Sequence, residues 1–285
     1  MLFNKNIEKI NSANYTIALV GNPNVGKSTI FNALTGMHQH TGNWPGKTVE
    51  NASGICNYKN KNYRLIDLPG TYSLMSHSEE EEIARNYICF GKSDTLLIVV
   101  DATCLERNLN LVYQSLEITP NIILCVNLLD EAKRKGININ LDLLSQRLGI
   151  PVVGTIAKSK KTLKSLMSQV ENICTKKIHP SPIKLNYGVA IEESIEILEP
   201  LIHKQLTNAH SYLARWISIK LIEGDAKILT SISEQLNINL SSNEILKALN
   251  LVYSRLEKSN IKKETFNDKI ISEIFFNAEM LAKSV

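Results

Sequence analysis

The residues of this chain best suited to chemistry lie in the stretch "GNPNVGKSTIFNALTG", residues 21–36. This stretch follows the apolar run "YTIALV" and leads into an amphipathic helical pattern. Its spacing, Gly21-x4-Gly26-Lys27-Ser28, matches the phosphate loop, in which backbone N–H groups surround a phosphate, the lysine contacts the terminal phosphates and the hydroxyl binds Mg²⁺. A helix that begins at Lys27 would add partial positive charge there. A strand before the motif and a helix after it therefore favour a nucleoside triphosphate site over a chance match.

Two later loops at predicted strand ends indicate which nucleotide binds and how its last phosphate is sensed. "DLPG" follows the strand-like "YRLI", so we expect Asp67 close to Mg²⁺ and the Gly70 N–H close to the γ-phosphate. "NLLD" begins with Asn127 at the end of the strand-like "IILCV". Its last residue, Asp130, can accept hydrogen bonds from both N1–H and N2–H₂ of guanine, and adenine offers no such pair of donors. The tetrad therefore favours GTP over ATP.

A third loop, "TIA", follows the strand-like "PVV" and comprises Thr155, Ile156 and Ala157. Its position predicts a backbone N–H that meets the O6 atom of guanine. An ordinary turn at a strand end is the alternative interpretation.

The stretch "MHQHTGNWPGKTVE" between the phosphate loop and "DLPG" shows neither the helical nor the strand period. We expect it to be mobile, with Thr48 as the second protein ligand of Mg²⁺ when a γ-phosphate is present. His38 and His40 have no third metal ligand nearby in the sequence, so solvated side chains are the expected interpretation.

Composition limits the class of protein. The chain has 285 residues, 44% of them hydrophobic and 21% charged, which is typical of globular domains, and its net charge of +4 is too weak to argue for nucleic acid or a membrane surface. The five cysteines are odd in number and scattered, without a CxxC pair, so we expect reduced, buried thiols. No signal-type segment or 18-residue apolar run is present, and we expect the chain as given to be soluble.

The hydrophobic pattern changes about two thirds of the way along the chain. Short β-branched runs alternate with helical patterns up to about residue 176, which predicts an α/β fold with a mostly parallel sheet and helices on both faces. The helical patterns lie near residues 27–36, 79–90, 105–118, 141–148 and 161–175. Ser78 and Glu81 form a capping box, so the run "SEEEE" is expected to begin a helix. The proline-containing "KKIHPSPIKLNYG" predicts a linker, and about five amphipathic helices follow it. Their aromatic and methionine residues are expected in the core rather than at a cofactor, for example Trp216, Tyr253, Phe275 and Met280. The predicted domains are residues 1–176 and the small all-helical residues 177–285.

Four stretches together, "GNPNVGKST", "GNWPGKTVE", "DLPGTYSL" and "VVDATCLERNL", resemble the amino-terminal cytosolic part of the ferrous iron transport protein B family. The resemblance is close over residues 14 to about 165. In the helical part it rests only on the position of that part in the chain and on its all-helical class. It implies a P-loop GTPase fold, followed by a helical domain that inhibits nucleotide release and by an iron-permeating membrane domain in the same longer chain. It also implies the cytoplasmic face of a bacterial inner membrane, the small ferrous iron transport protein A as a partner, and a homo-oligomer.

The resemblance also implies a K⁺ ion in catalysis. Thr71 follows "DLPG" where many G proteins carry the glutamine that orients the attacking water, so slow intrinsic hydrolysis is expected. In the family, K⁺ is held by the asparagine that matches Asn24 and by backbone carbonyls that match Gly42 and Trp44. The alternative is that Asn24 only pins its loop through a backbone hydrogen bond. The sequence departs from many G proteins at Leu128, where they carry lysine, and from the family's common Gln-Arg-Val in "HQHT".

These inferences define a predicted site. The nucleotide-binding residues are Asn24, Val25, Gly26, Lys27, Ser28, Thr29, Asp67, Gly70, Asn127, Leu128, Asp130, Thr155, Ile156 and Ala157. The catalytic residues are Asn24, Lys27, Thr48 and Gly70, the Mg²⁺ ligands Ser28, Thr48 and Asp67, and the K⁺ ligands Asn24, Gly42 and Trp44. The predicted function is GTP binding and hydrolysis that gates or drives Fe(II) uptake. Two alternatives remain: a soluble ribosome-assembly or tRNA-modification GTPase, and a sensor that binds GTP without hydrolysing it.

Overall fold

The computed structural model describes residues 13–36, 39–44, 50–75 and 78–285, and it describes the backbone alone at residues 39–42, 50 and 51. The chain divides into two compact units. The first holds the residues up to Ile183 together with Ala278–Val285, and the second is Lys184–Asn277. The candidate site lies in the first unit.

One sheet of seven strands forms the centre of the first unit among the described residues. The strands are β1 (Tyr15–Gly21), β2 (Gln39–Asn43), β3 (Glu50–Tyr58), β4 (Lys61–Asp67), β5 (Thr95–Asp101), β6 (Ile122–Asn127) and β7 (Val152–Gly154). Their order is β2-β3-β4-β1-β5-β6-β7, and the five strands from β4 to β7 in this order are parallel. Alternate residues on both faces of β1 are fully buried, for example Leu19 and Val20, because helices cover the sheet. The predicted α/β class with a mostly parallel sheet is confirmed.

Two antiparallel strands at one edge depart from the prediction. β2 and β3 pair from Gln39 with Gly54 to Asn43 with Glu50, and β3 pairs in turn with β4. The stretch expected to be irregular therefore contains β2 and the start of β3. Their sequences, "QHTGN" and "ENASGICNY", are too polar for the apolar criterion that found the other strands, because an edge hairpin depends mainly on backbone pairing.

The helices of the first unit follow the predicted positions closely. They are α1 (Lys27–Thr35), α2 (Glu79–Phe90), α3 (Leu105–Leu116), α4 (Leu129–Arg134), α5 (Leu141–Leu148) and α6 (Lys160–Cys174). The side chain of Ser78 accepts a hydrogen bond from the Glu81 N–H at 3.2 Å, which confirms the predicted start of α2. The short α4 was not predicted, since six residues are too few for a visible helical period.

The chain topology gathers the loops of interest at one edge of the sheet. Parallel strands present their carboxyl ends together, and ligands bind there in open α/β sheets. β1 ends at Gly21, β4 at Asp67 and β6 at Asn127, so each predicted loop begins at this edge.

The second unit is helical throughout its regular structure. Its helices are α7 (Val189–His203), α8 (Ala214–Glu223), α9 (Ala226–Leu236), α10 (Asn243–Lys258) and α11 (Lys263–Ser284). The last turns of α11, from Ala278 onward, are assigned to the first unit. The five predicted helices are confirmed. Trp216 is buried, but Phe275 and Met280, expected in the core, are 57% and 53% exposed, because α11 turns them away from its buried face. No helix in the described ranges is long and apolar enough to span a membrane.

The cysteines follow the expectation with one exception. Cys56, Cys89, Cys125 and Cys174 are buried, whereas Cys104, at the start of α3, is exposed. Burial raises the pKa of the Cys56 and Cys174 thiols to about 11 and that of Cys125 to about 12, so these three remain protonated thiols at neutral pH.

Candidate functional site

The phosphate-loop motif forms a tight turn between β1 and α1. Asn24 and Gly26 have φ angles of 67° and 84°, in the left-handed region that favours glycine and asparagine. At Gly26 a side chain would also collide, since a Cβ atom would lie 2.5 Å from the Asn127 amide nitrogen. The buried Val25 side chain fixes the turn from below.

The turn encloses a pocket of about 500 Å³. It is lined by Asn22, Pro23, Asn24, Gly26, Lys27, Ser28, Thr29 and Gly70. Five predicted phosphate-loop residues and Gly70 therefore come together, although they are more than 40 positions apart. Asn22 was not predicted to take part; its Oδ1 atom is buried and has no hydrogen-bond partner. The only sequence signal for Asn22 is its place inside the motif.

Lys27 joins the phosphate loop to the end of β4. Its ammonium forms a salt bridge with Asp67 and donates a hydrogen bond to the Leu68 carbonyl at 2.6 Å. Burial raises the pKa of Asp67, and the charge of Lys27 counteracts this shift. The predicted lysine and the predicted Mg²⁺-binding carboxylate thus lie in direct contact beside the pocket.

The "DLPG" loop packs against the phosphate loop through its backbone. The Leu68 N–H donates to the Leu19 carbonyl at 2.9 Å, and the Thr71 N–H donates to the Gly21 carbonyl at 3.1 Å. Gly70 lies between these two bonds and faces the pocket. The loop predicted to sense a γ-phosphate is therefore held next to the loop predicted to bind it.

Asn127 connects three loops from a fully buried position. Its Nδ2 donates to the Val25 carbonyl at 3.0 Å, and its Oδ1 accepts from the Thr155 hydroxyl at 3.1 Å. The Thr155 hydroxyl also lies 3.1 Å from the Cys125 sulfur. These bonds link the phosphate loop to the two loops predicted to recognise the base, and nucleotide binding by Asn127 and Thr155 stays a prediction.

The two loops predicted to recognise the base differ in which of their polar groups are already hydrogen-bonded within the protein. Leu128 has a φ angle of 62° and precedes α4, so the exposed Asp130 lies in the first turn of that helix. The Ile156 backbone is tied to Thr162, whose hydroxyl accepts from the Ile156 N–H at 3.2 Å and donates to its carbonyl at 3.1 Å. Among the three residues of "TIA", Ala157 therefore has the backbone position best suited to meet a base.

Several predicted residues lie partly or wholly outside the described structure. Thr48 and His38 belong to undescribed ranges, and His40 is described in its backbone alone. Gly42 lies in β2, paired with Asn51. Trp44 lies just beyond β2, where its ring meets the Tyr87 ring edge-on at a centroid distance of 5.5 Å. The second Mg²⁺ ligand, Thr48, and the K⁺ ligands Gly42 and Trp44 therefore stay predictions.

The residues present fit a nucleotide phosphate with Mg²⁺ in their chemistry. The first turn of α1 holds no acidic residue, so its N-terminus can face an anion. The Lys27 ammonium lines the same pocket, where it is paired with Asp67. The Ser28 hydroxyl and the Asp67 carboxylate are oxygen donors of the kind that Mg²⁺ prefers. This edge of the sheet can therefore bind a phosphorylated ligand.

Comparison with known proteins agrees with this assignment along most of the chain. Residues 15–170 match the family Ferrous iron transport protein B, and residues 187–285 match the FeoB cytosolic helical domain. The Fe(2+) transport protein A/Fe(2+) transporter FeoB fusion protein of Porphyromonas gingivalis is 40% identical over 77% of this chain and 26% of its own length. The Fe(2+) transporter FeoB of Escherichia coli K12 is 38% identical over 74% and 27%. The Fe(2+) transporter FeoB of Staphylococcus aureus MSSA476 is 34% identical over 87% of this chain and 37% of its own length. The chain therefore spans about a quarter to two fifths of the length of these relatives.

Solved structures of similar chains cover nearly the whole molecule. A glutamate-to-alanine variant of S. thermophilus NFeoB bound to GDP has a TM-score of 0.80 and 31% identity, and the match covers 94% of this chain and 98% of that one. Another S. thermophilus NFeoB variant, bound to GMPPNP, has a TM-score of 0.77 and 32% identity over 94% and 99%. The apo cytosolic domain of T. maritima FeoB has a TM-score of 0.70 and 33% identity over 90% and 97%. The chain therefore belongs to the ferrous iron transport protein B family and carries its G domain and cytosolic helical domain.

Proposed function

We propose that this chain is the GTP-binding and GTP-hydrolysing cytosolic region of a bacterial ferrous iron transporter. The observation that carries the proposal is the pocket in which Lys27, Ser28 and Gly70 meet beside the Lys27–Asp67 salt bridge. The GDP and GMPPNP complexes of the similar S. thermophilus proteins support a guanine nucleotide as the ligand. The family match favours this function over a soluble ribosome-assembly or tRNA-modification GTPase.

Each site residue has a role in the proposed reaction. The backbone around Val25, Gly26 and Thr29 surrounds the phosphates, and Lys27 neutralises charge on the terminal ones. Ser28, Asp67 and Thr48 are the proposed protein ligands of Mg²⁺, which supplies charge neutralisation at the phosphate oxygens when bound. In the proposed reaction the Gly70 N–H bonds the γ-phosphate, so the "DLPG" loop distinguishes GTP from GDP.

The loop that carries Thr48 can be tested separately from nucleotide binding. Because a threonine that engages Mg²⁺ only beside a γ-phosphate contributes nothing to the GDP complex, Thr48→Ala is expected to impair hydrolysis and leave GDP affinity nearly intact. Fluorescence titration with labelled GDP and GTP, together with phosphate release, measures both effects. Equal losses for GDP and GTP would contradict the sensing role.

Specificity for guanine is assigned to Asp130, with Leu128 and Ala157 flanking the base. Asp130→Asn replaces a charged acceptor by an amide and is expected to weaken GTP binding by about 2–4 kcal/mol while favouring xanthine nucleotides. Titration with fluorescent GTP and XTP analogues measures both changes. Glu131→Gln removes the neighbouring charge of the same helix and should leave both affinities unchanged. An Asp130→Asn protein with unaltered GTP affinity would refute the assignment.

Hydrolysis is proposed to be slow and stimulated by K⁺ through Asn24, with the backbone carbonyls of Gly42 and Trp44 as its further ligands. The position of Asn24 in the pocket wall supports this, since a cation there would stabilise charge on the transferring phosphate as an arginine does in other G proteins. Phosphate release should be faster in KCl than in NaCl at equal ionic strength, and Asn24→Ala should remove the difference while GTP still binds. Equal rates in the two salts would leave Asn24 a purely structural residue. A protein that binds GTP but releases no phosphate in a single turnover would instead be a nucleotide sensor.

The role of the whole protein is proposed from its relatives. We place this region on the cytoplasmic face of the inner membrane, in one chain with a membrane domain, and we assign residues 1–176 to the G domain and 177–285 to a helical domain that slows nucleotide release. The fused P. gingivalis relative supports the small transport protein A as a partner, and a homo-oligomer is also proposed.

In the full-length protein, Lys27→Ala should abolish uptake of radioactive Fe(II) into cells. Uptake at the unmutated rate would exclude a gating or driving role for the nucleotide.

A further inference from the structure

The segment that follows Gly70 is hydrogen-bonded to the helix α3. The Gln114 side-chain carbonyl accepts from the Leu74 N–H at 2.6 Å and from the Ser73 hydroxyl at 3.4 Å. Leu74 is 4% exposed, so its N–H is held in a buried place where water offers no substitute. Gln114 thus supplies the hydrogen-bond partner of a buried backbone group in a loop 40 positions away.

A second residue of α3 holds the same segment by a different interaction. The Arg107 guanidinium lies over the Tyr72 ring, 4.3 Å from its centroid. Arg107 and Gln114 are seven positions apart, or nearly two helical turns, so they share one face of α3. Two unrelated contacts, a stacked cation and an amide, therefore fix three successive residues on one helix face.

The other end of the segment is fixed to the phosphate loop. The Thr71 N–H donates to the Gly21 carbonyl at 3.1 Å, and the Thr71 hydroxyl donates to the Ser73 carbonyl at 2.6 Å. Gly70 precedes this tethered stretch and lines the phosphate-loop pocket. Gly70 is therefore followed directly by a stretch of backbone that is held by the phosphate loop at Thr71 and by α3 at Leu74.

We propose that Gln114 and Arg107 are positioning residues that hold Gly70 ready for a γ-phosphate. The inference rests on the proposed function, since it assigns to α3 the part of the site that distinguishes GTP from GDP. Loss of either contact should weaken binding of a triphosphate and leave a diphosphate unaffected, because only the triphosphate uses Gly70. α3 then sets the balance between the two nucleotides without touching either of them.

The tether itself can be tested on the protein without nucleotide. In Gln114→Leu the side-chain acceptor is lost and the size is kept, so hydrogen exchange at the Leu74 amide should become at least about tenfold faster. Gln114→Glu keeps an acceptor oxygen and should restore slow exchange. Equal exchange in the unmutated protein and in Gln114→Leu would overturn the tether, whatever the nucleotide binds.

The consequence for nucleotide choice is tested by titrating the same proteins with fluorescent GMPPNP and GDP. Gln114→Leu should weaken GMPPNP binding about three- to tenfold and change GDP binding less than about twofold, and Gln114→Glu should return the ratio to that of the unmutated protein. Arg107→Leu should act in the same direction, and Arg107→Lys should rescue it only in part because an ammonium stacks less well on a ring. An unchanged ratio, or equal losses for both nucleotides, would overturn the inference. Failure of the unmutated protein to bind either nucleotide would overturn the proposed function, which is a different result.

Discussion

Asn127 shows how one buried side chain can connect the loops of a candidate site. Its amide satisfies the Val25 carbonyl and the Thr155 hydroxyl at the same time. In Asn127→Ala the Val25 carbonyl loses its side-chain donor and the Thr155 hydroxyl keeps only its contact with the Cys125 sulfur. A buried polar group left unpaired costs about 1–3 kcal/mol. We expect the free energy of unfolding, measured in urea, to fall by about 2 kcal/mol or more. Asn121→Ala, at an exposed position just before β6, is the control and should change it by less than about 0.5 kcal/mol. Equal stability of the two variants would contradict this role of Asn127.

Residues of the candidate site could be predicted from the sequence where a backbone conformation or a motif requires a particular residue type. Residues that are important only through a tertiary contact could not be predicted. The left-handed φ of Gly26 and the charge of Lys27 produce a fixed spacing that is visible in one dimension. Gln114 has no such spacing, since an amide on a helix surface is common and its partner, the Leu74 N–H, is a backbone group. The structural use of Asn127 was hidden for the same reason.

At the scale of elements, predictability followed the apolar content of each strand. The parallel strands are buried on both faces and were visible as continuous apolar runs, such as "IILCVN" in β6. The hairpin of β2 and β3 contains polar and small residues and was missed, because its stability comes from backbone pairing and from neighbours that the sequence does not show. The prediction that Phe275 and Met280 of α11 lie in the core was also wrong. A helix that is apolar on several sides does not reveal which side is covered.

The helix α2 begins at a serine cap whose contribution to stability can be measured. Ser78 caps the helix by accepting from the Glu81 N–H, and the first turn holds Glu79, Glu80, Glu81 and Glu82. Ser78→Ala leaves that N–H without its partner and should lower the free energy of unfolding by about 1 kcal/mol. Ser78→Asp provides a charged acceptor at the cap and should retain the stability of the unmutated protein, because it favours the helix N-terminus. A Ser78→Ala protein that unfolds at the same urea concentration as the Ser78→Asp protein would contradict the capping role.

The division of the chain into an α/β unit and a helical unit was readable from the hydrophobic pattern, because short apolar runs between helical patterns give way to helical patterns alone. The contacts that stabilise the helical unit were not readable. The Arg215 guanidinium donates to both carboxylate oxygens of Glu192, at 2.8 and 3.0 Å, and to the Leu185 carbonyl at 2.8 Å. The Tyr187 N–H donates to the same carboxylate at 2.8 Å. This network ties the irregular segment before α7 to α8, although nothing in the local sequence pairs these residues.

The network makes the stability of the helical unit depend on pH. Burial alone would raise the pKa of Glu192, but the hydrogen bonds from Arg215 and from the Tyr187 N–H hold this pKa below its ordinary value. An acid whose pKa is lowered by folding stabilises the protein above its unfolded pKa of about 4.3, and this contribution disappears as the pH falls through the folded pKa. Glu192→Gln leaves the buried Arg215 side chain without its counter-charge, so at pH 7 it should lower the free energy of unfolding by about 2 kcal/mol. The deficit should shrink as the pH falls through the folded pKa, because the unmutated carboxylate then becomes protonated itself. Urea unfolding followed by Trp216 fluorescence in a Trp44→Phe background reports this unit, and Glu193→Gln, an exposed neighbour on α7, is the control. A deficit that is the same at pH 7 and pH 3 would show that the charge of Glu192 does not stabilise the unit.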